Sequence, residues 1–153
     1  GFGQQGYGYN VSNLTGEIKR IMGIDRKHTI IIVGAGNIGH ALTNFPGFAE
    51  TGFEVKALFD VNEDLIGTEI KGHPVLDVKD MDEYIRENQI DIGVIAARRS
   101  AAQEIADRMC AAGIRGIWNF VPLDITTSVP IENVHLSESL STLSYKIEHG
   151  LLD

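Results

Sequence analysis

The chain has 153 residues, 43% of them hydrophobic, enough for one soluble domain with a sizeable core. Thirteen Lys and Arg stand against 21 Asp and Glu, a net charge of −8 with no long basic run, which argues against nucleic-acid binding by this chain alone. No apolar run approaches the roughly 18 residues of a membrane span, and the single cysteine, Cys110, excludes an internal disulfide and suits a reducing cytoplasm.

The first sixteen residues carry five glycines and no charged side chain, with Phe2, Tyr7 and Tyr9 interleaved. That spacing suits the end of a β-hairpin. Asn10 or Ser12 then opens an expected helix with Leu14, Ile18, Ile21 and Met22 on one face, stopped at Gly23.

Thr29 to Gly39 is the most informative stretch. Ile30–Val33 is the short apolar, β-branched run of a parallel strand buried on both faces. Gly34, Gly36 and Gly39 follow as G-x-G-x-x-G, with Ala35, Asn37 and Ile38 between them. Gly34 suits a tight turn, Gly36 the close approach of a pyrophosphate, and Gly39 the close packing of helix on strand. A helix beginning near Asn37 directs its N–H groups and positive dipole end at that phosphate. The Asn44–Phe48 segment, with Pro46 inside it, should interrupt this helix.

A second strand, Val55–Phe59, ends at Asp60, 21 residues after Gly39, where an acid holds a pair of ribose hydroxyls. Strand, glycine turn, helix, strand and acid together predict a dinucleotide site. Further expected elements are a short strand near 73–78, a helix over 80–88 and a strand over 91–97. A helix capped by Ser100 then runs to about Ala112, and a strand follows over 114–120. Pro122 to Pro130 reads as a loop, 134–136 as a last short strand, and Ser137 and Glu138 as the opening of a terminal helix. Leu140, Leu143, Ile147 and Leu151 form its stripe, and Gly150 is its stop. The alternation predicts a doubly wound parallel sheet with helices on both faces.

The ends of neighbouring strands should line the same crevice. Ala96 and Ala97 are small enough for a ligand to approach. Arg98 and Arg99 offer guanidinium groups to phosphate or to a partner carboxylate, or are simply solvated. At the next strand end stand Asn119 and Phe120, the former with an amide suited to ribose or nicotinamide. His28, His40, His73, His135 and His149 show no metal-ligand spacing, so no metal is expected. Cys110, in a helical pattern with Ile105 and Ala106, reads as packing rather than as a reactive thiol. Only 33 residues follow Phe120, with no obvious acid–base pair. The chain is equipped to bind a dinucleotide and not to use it, so no enzyme activity is expected.

Gly34-Ala35-Gly36-Asn37-Ile38-Gly39, running through Ala41 and Leu42 into Asn44-Phe45-Pro46-Gly47-Phe48, resembles the Rex family of redox-sensing transcriptional repressors. Phe59-Asp60-Val61 and Gly116-Ile117-Trp118-Asn119-Phe120-Val121-Pro122 extend the resemblance. So do Glu132-Asn133-Val134 and Leu143-Ser144-Tyr145, and it then covers essentially the whole chain. It implies a Rossmann domain that senses NADH relative to NAD+, with a C-terminal helix exchanged between the subunits of a homodimer. Residues 1–11 then correspond to the end of a winged-helix wing, 12–136 to the NAD(H)-binding domain and 137–153 to the dimerisation helix. Val61 and Val121 join the cofactor-binding set, and Tyr145 is expected to reach toward the partner's nicotinamide pocket. DNA binding would belong to an N-terminal domain not represented here, and NADH would release the intact protein from its operator. Two other readings share the fold: a fragment of an NAD-dependent oxidoreductase and the CoA-binding domain of a synthetase.

Overall fold

The computed structural model describes residues 27–152. The expected wing remnant and the first expected helix lie outside the described residues. In chain order the elements are β1 (His28–Val33), α1 (Asn37–Thr43), α2 (Gly47–Glu50), β2 (Phe53–Asp60), β3 (Glu69–Ile70) and β4 (His73–Asp77). A 3-10 turn (Val78–Asp80) leads into α3 (Met81–Asn88), β5 (Ile92–Ile95), α4 (Arg99–Ala112), β6 (Gly116–Asn119), β7 (Ile131–Asn133) and α5 (Leu136–Glu148). The seven strands form one sheet in the order β3-β4-β2-β1-β5-β6-β7, and every pair except β3/β4 is parallel. The strand order and the alternation of strands with helices make this a Rossmann-type doubly wound sheet.

β1 is the central strand, and Ile30–Val33 are buried on both faces as their unbroken apolar run requires. On one face Ile31, Val33, Ala57 and Phe59 pack against Met81 and Ile85 of α3 and Ala102, Ile105, Ala106 and Met109 of α4. On the other, Ile30, Ile32, Val55, Leu58 and Val94 pack with Phe48 of α2. β2 slips by one residue against β1, since Ile30 faces Val55 and Ile31 faces Ala57. The extra residue, Lys56, is turned to solvent beside Glu54, 3.4 Å away, so a charged side chain sits in a buried strand without entering the core.

Several expected boundaries shift. The helix after the glycine turn ends at Thr43, and Pro46 does not merely interrupt it: proline's fixed φ suits it to start a second helix, and Pro46 is the N-cap of α2. Ser100 is not the cap of α4, because Arg98 holds the extended cap conformation and the helix starts at Arg99. The last strand is not 134–136 but Ile131–Asn133, which finds a parallel partner in β6. β3, a two-residue antiparallel edge strand, was not expected at all. Gly150 does sit just beyond the terminal helix with φ +61°, the left-handed conformation of a helix stop. Cys110 is half-buried against the α4 side of the core, in line with a packing role.

Candidate functional site

The site is positioned by a row that crosses the sheet. Phe59 pairs with Val33, Val33 with Ile95, Ile95 with Asn119 and Asn119 with Asn133. The residues one step further, Asp60, Gly34, Ala96, Phe120 and Val134, therefore emerge side by side at the carboxyl edge. Backbone bonds stitch that edge: Gly34 N donates to Phe59 O (2.7 Å), Ala96 N to Val33 O (2.8 Å), Phe120 N to Ile95 O (2.9 Å) and Val134 N to Asn119 O (2.9 Å). Parallel strands bring residues far apart in sequence together here, where ligands of open α/β sheets bind.

The three motif glycines divide into two structural ones and one that the fold does not need. Gly34 has φ +112°, and a Cβ there would overlap the Ala96 carbonyl. A Cβ on Gly39 would run into the carbonyl oxygen of Gly34. Gly36 is different: its φ is −78°, and a Cβ would meet nothing within 4 Å. Neither backbone nor packing demands glycine there. As the exposed N-cap of α1 it offers no side-chain cap to the helix amides, and the first turn of α1 has no acidic residue. The missing side chain leaves an open approach to those donors, which fits an anionic group.

Asp60 ties this turn to the end of β2. One carboxylate oxygen accepts from Ala35 N (2.8 Å), the other from Val61 N (2.7 Å) and Asn62 N (2.9 Å). A carboxylate has about four acceptor positions, so one remains for an outside donor. Asp60 is half-buried and Val61 beside it is 69% exposed.

On the other side of the glycine turn lies a cleft of about 550 Å³. Ile38 of α1, Phe120, Val121 and Leu123 at and after the end of β6, and Val134 and Leu136 at the start of α5 supply its apolar lining. Arg99 also lines the cleft, whereas Arg98 is exposed at the N-cap of α4. Leu123, Val134 and Leu136 were not anticipated. Their signal, apolar residues just past the end of a sheet strand, was present in the sequence but unread.

Asn119 requires a correction. It stands at the expected strand end, yet its side chain is fully buried and faces the protein. Its amide nitrogen donates to Val121 O (3.0 Å), Leu123 O (3.2 Å) and Asn133 Oδ1 (2.9 Å), while its oxygen accepts from Val121 N (2.9 Å). Burial makes hydrogen bonding obligatory, and the neighbouring loop supplies it, so the amide faces the protein rather than open space at the strand end. Tyr145 is also away from the cleft of its own chain. It lies on α5, 58% exposed, stacked on His149 at 4.0 Å. His40 is exposed on α1, and no cluster of three or more potential metal ligands occurs among the described residues.

A second cleft, about 530 Å³, opens at the starts of the strands. Among the described residues it is lined chiefly by Ile30, Phe48, Phe53, Ile92, Trp118 and Ile131, with Thr51 and Glu132 as its polar side chains. It offers none of the converging amides of the glycine turn.

Fold and site together define a Rossmann-type module with an open glycine turn at the carboxyl edge of its sheet. Comparison with known proteins narrows this. Residues 25–123 match the family model described as CoA binding domain. The redox-sensing transcriptional repressor Rex of Clostridioides difficile (strain 630) is 50% identical over 98% of this chain and 72% of its own length. Among solved structures, RSP in complex with beta-NADH is 42% identical with a TM-score of 0.86, covering 93% of this chain and 70% of that one. RSP in complex with beta-NAD+ and operator DNA is 45% identical with a TM-score of 0.89, covering 98% and 70%. The chain belongs to the Rex family of redox-sensing transcriptional repressors, a family of regulators rather than enzymes.

Proposed function

We propose that this chain is the NADH/NAD+-sensing part of a Rex repressor, and that the carboxyl edge of its sheet is the NAD(H) site. Gly36 carries the proposal: an exposed glycine that the fold does not require, set between two that it does. In this reading the backbone of Gly34, Ala35, Gly36, Asn37, Ile38 and Gly39 receives the pyrophosphate. Asp60 takes the adenosine ribose at its remaining acceptor position, with Val61 beside the adenosine. Ala96 and Ala97, both half-buried, leave room for the nicotinamide half, and Arg98 is left at the mouth.

The discrimination between redox states follows from charge. The nicotinamide of NAD+ is cationic, that of NADH is neutral, and the wall formed by Ile38, Phe120, Val121 and Leu123 is apolar. Burying the cation there costs more than burying the neutral ring, so the cleft favours NADH. Bound dihydronicotinamide contributes no chemistry beyond reporting the redox state.

The reading extends to a homodimer joined through α5, with Tyr145 of each chain placed toward the other's cleft. Operator DNA is bound by the intact protein, through parts of the relatives' length that this chain does not span, and NADH releases it. The site of action is the cytoplasm, where bacterial operators lie. The CoA-binding reading is favoured by the family model's description, but it leaves Asp60 without a role.

Titration of the chain with NADH, NAD+ and CoA tests the proposal. NADH should bind more tightly than NAD+, and CoA should not displace it. Gly36→Val should lose at least about tenfold in NADH affinity, 1.4 kcal/mol or more, with an unchanged melting temperature. Full NADH binding by that variant, or displacement of NADH by CoA, would overturn the assignment.

A further inference from the structure

We infer that Asn119 is the link between the NAD(H) cleft and the terminal helix: a positioning residue that transmits movement of the cleft wall rather than a ligand. The inference rests on the proposed NAD(H) site. Asn119 is the one fully buried polar side chain among the described residues. It joins three segments: the end of β6, the loop carrying Val121 and Leu123, and Asn133 at the end of β7.

Both of the segments it joins to β6 lead into the lining of the same cleft: Phe120 to Asp124 line it directly, and Asn133 is followed by Val134 to Glu138, which line it and continue into α5. The Val134 N to Asn119 O bond is the last from the sheet to the chain before the helix makes its own. α5 buries none of its residues in this chain, so its direction is set at this attachment.

The amide is suited to a shared-load role. It has two N–H hydrogens for three oxygen acceptors, at 2.9, 3.0 and 3.2 Å. At least one hydrogen is therefore divided between two of them. When a ligand shifts the loop carrying Val121 and Leu123, the share left for Asn133 changes, and with it the hold on the strand that leads into α5. The device is local: one side chain couples the loop on the cleft to the strand that leads into α5.

Amide hydrogen exchange on the native assembly, with and without NADH, tests this, and energy transfer from Trp118, the single tryptophan, to NADH reports binding independently. In the unaltered chain, NADH should alter exchange both at residues 120–124 and at 134–148. Asn133→Ala removes an acceptor from an exposed residue and should keep NADH affinity within roughly tenfold, while losing most of the change at 134–148. Asn119→Asp places a carboxylate against three oxygens. It should lose the distal change at neutral pH and regain part of it in acid, where a protonated carboxyl again donates one hydrogen. An effect of fold alone would not return on acidification, and if Asn119→Asp fails to fold, Asn133→Ala decides. The inference is overturned if both variants show the full change at 134–148, or if the unaltered chain binds NADH by the Trp118 signal with no change there. If Trp118 reports no NADH binding at all, the proposed site itself fails, and the inference with it.

Discussion

The glycine turn and the terminal helix are built on opposite principles. Around the turn, Gly36 apart, the chain is closely packed: Gly34 has no room for a methyl group against Ala96, Gly39 none against Gly34, and Asp60 accepts three backbone N–H groups at once. Along α5 no residue is buried, and Leu136, Leu140, Leu143 and Ile147 stand between 52% and 70% exposed. One region is fixed by its own chain. The other presents an apolar stripe whose burial would contribute on the order of 1.5–3 kcal/mol per side chain, and nothing among the described residues buries it. A closely packed turn joined to an exposed apolar helix would suit the proposed dimer, in which ligand binding becomes a change of assembly.

The largest expected effect breaks the rigid side. Gly39→Val forces a branched side chain against the Gly34 carbonyl and should destabilise the fold by about 3 kcal/mol. For a chain of this size the melting temperature should fall by roughly 10 °C. A melting curve unchanged by this substitution would mean that α1 and β1 are not packed as described.

Leu140→Asp combined with Leu143→Asp attacks the other side. Because both residues are exposed in a single chain, the sheet domain should still fold, with an unchanged circular dichroism spectrum, and lose only the stability that association contributes. Sedimentation should instead show loss of the dimer. A variant that stays dimeric would remove α5 from the proposed interface.

The smallest effect sharpens the picture of how the sheet is held at its other end. Asp91, just before β5, accepts from Thr29 N (3.1 Å) and lies 3.3 Å from Arg115 and 3.5 Å from His28. Burial pushes its carboxyl upward, but the Thr29 N–H, the Arg115 guanidinium and His28 together hold it below the ordinary carboxylate value. Its folded-state pKa is thus depressed relative to the unfolded chain. The resulting stabilisation is present above about pH 4 and is lost as pH falls through the folded-state value. Asn in its place should flatten the acid limb of the stability curve; an identical limb would show that Asp91 titrates alike in both states.

Most of the fold was legible because β1 and the glycine turn carry local signatures. Four consecutive branched residues, glycines at fixed offsets and an acid 21 residues on need no tertiary knowledge. The parts misread depend on partners. Whether 131–133 or 134–136 is the last strand is decided by which residues find β6, and Asn119 was assigned to a ligand because its burial under the following loop has no local signal. The same holds for α5, whose stripe was visible while its occupant was not.

The central claim is that the carboxyl edge is an NAD(H) site anchored by Asp60, and one titration tests it most directly. Binding of NADH and NADPH should be followed side by side through Trp118 energy transfer, at low ionic strength. The 2′-phosphate of NADPH brings roughly −1.5 to −2 charges toward the Asp60 carboxylate. At about 4 Å and an effective dielectric near 20, each unit pair repels by roughly 4 kcal/mol before solvent screening. NADH should therefore bind at least about a hundredfold more tightly, equivalent to some 2.8 kcal/mol, and Asp60→Ala should close most of that gap. Equal affinity for the two nucleotides in the unaltered chain would contradict the account.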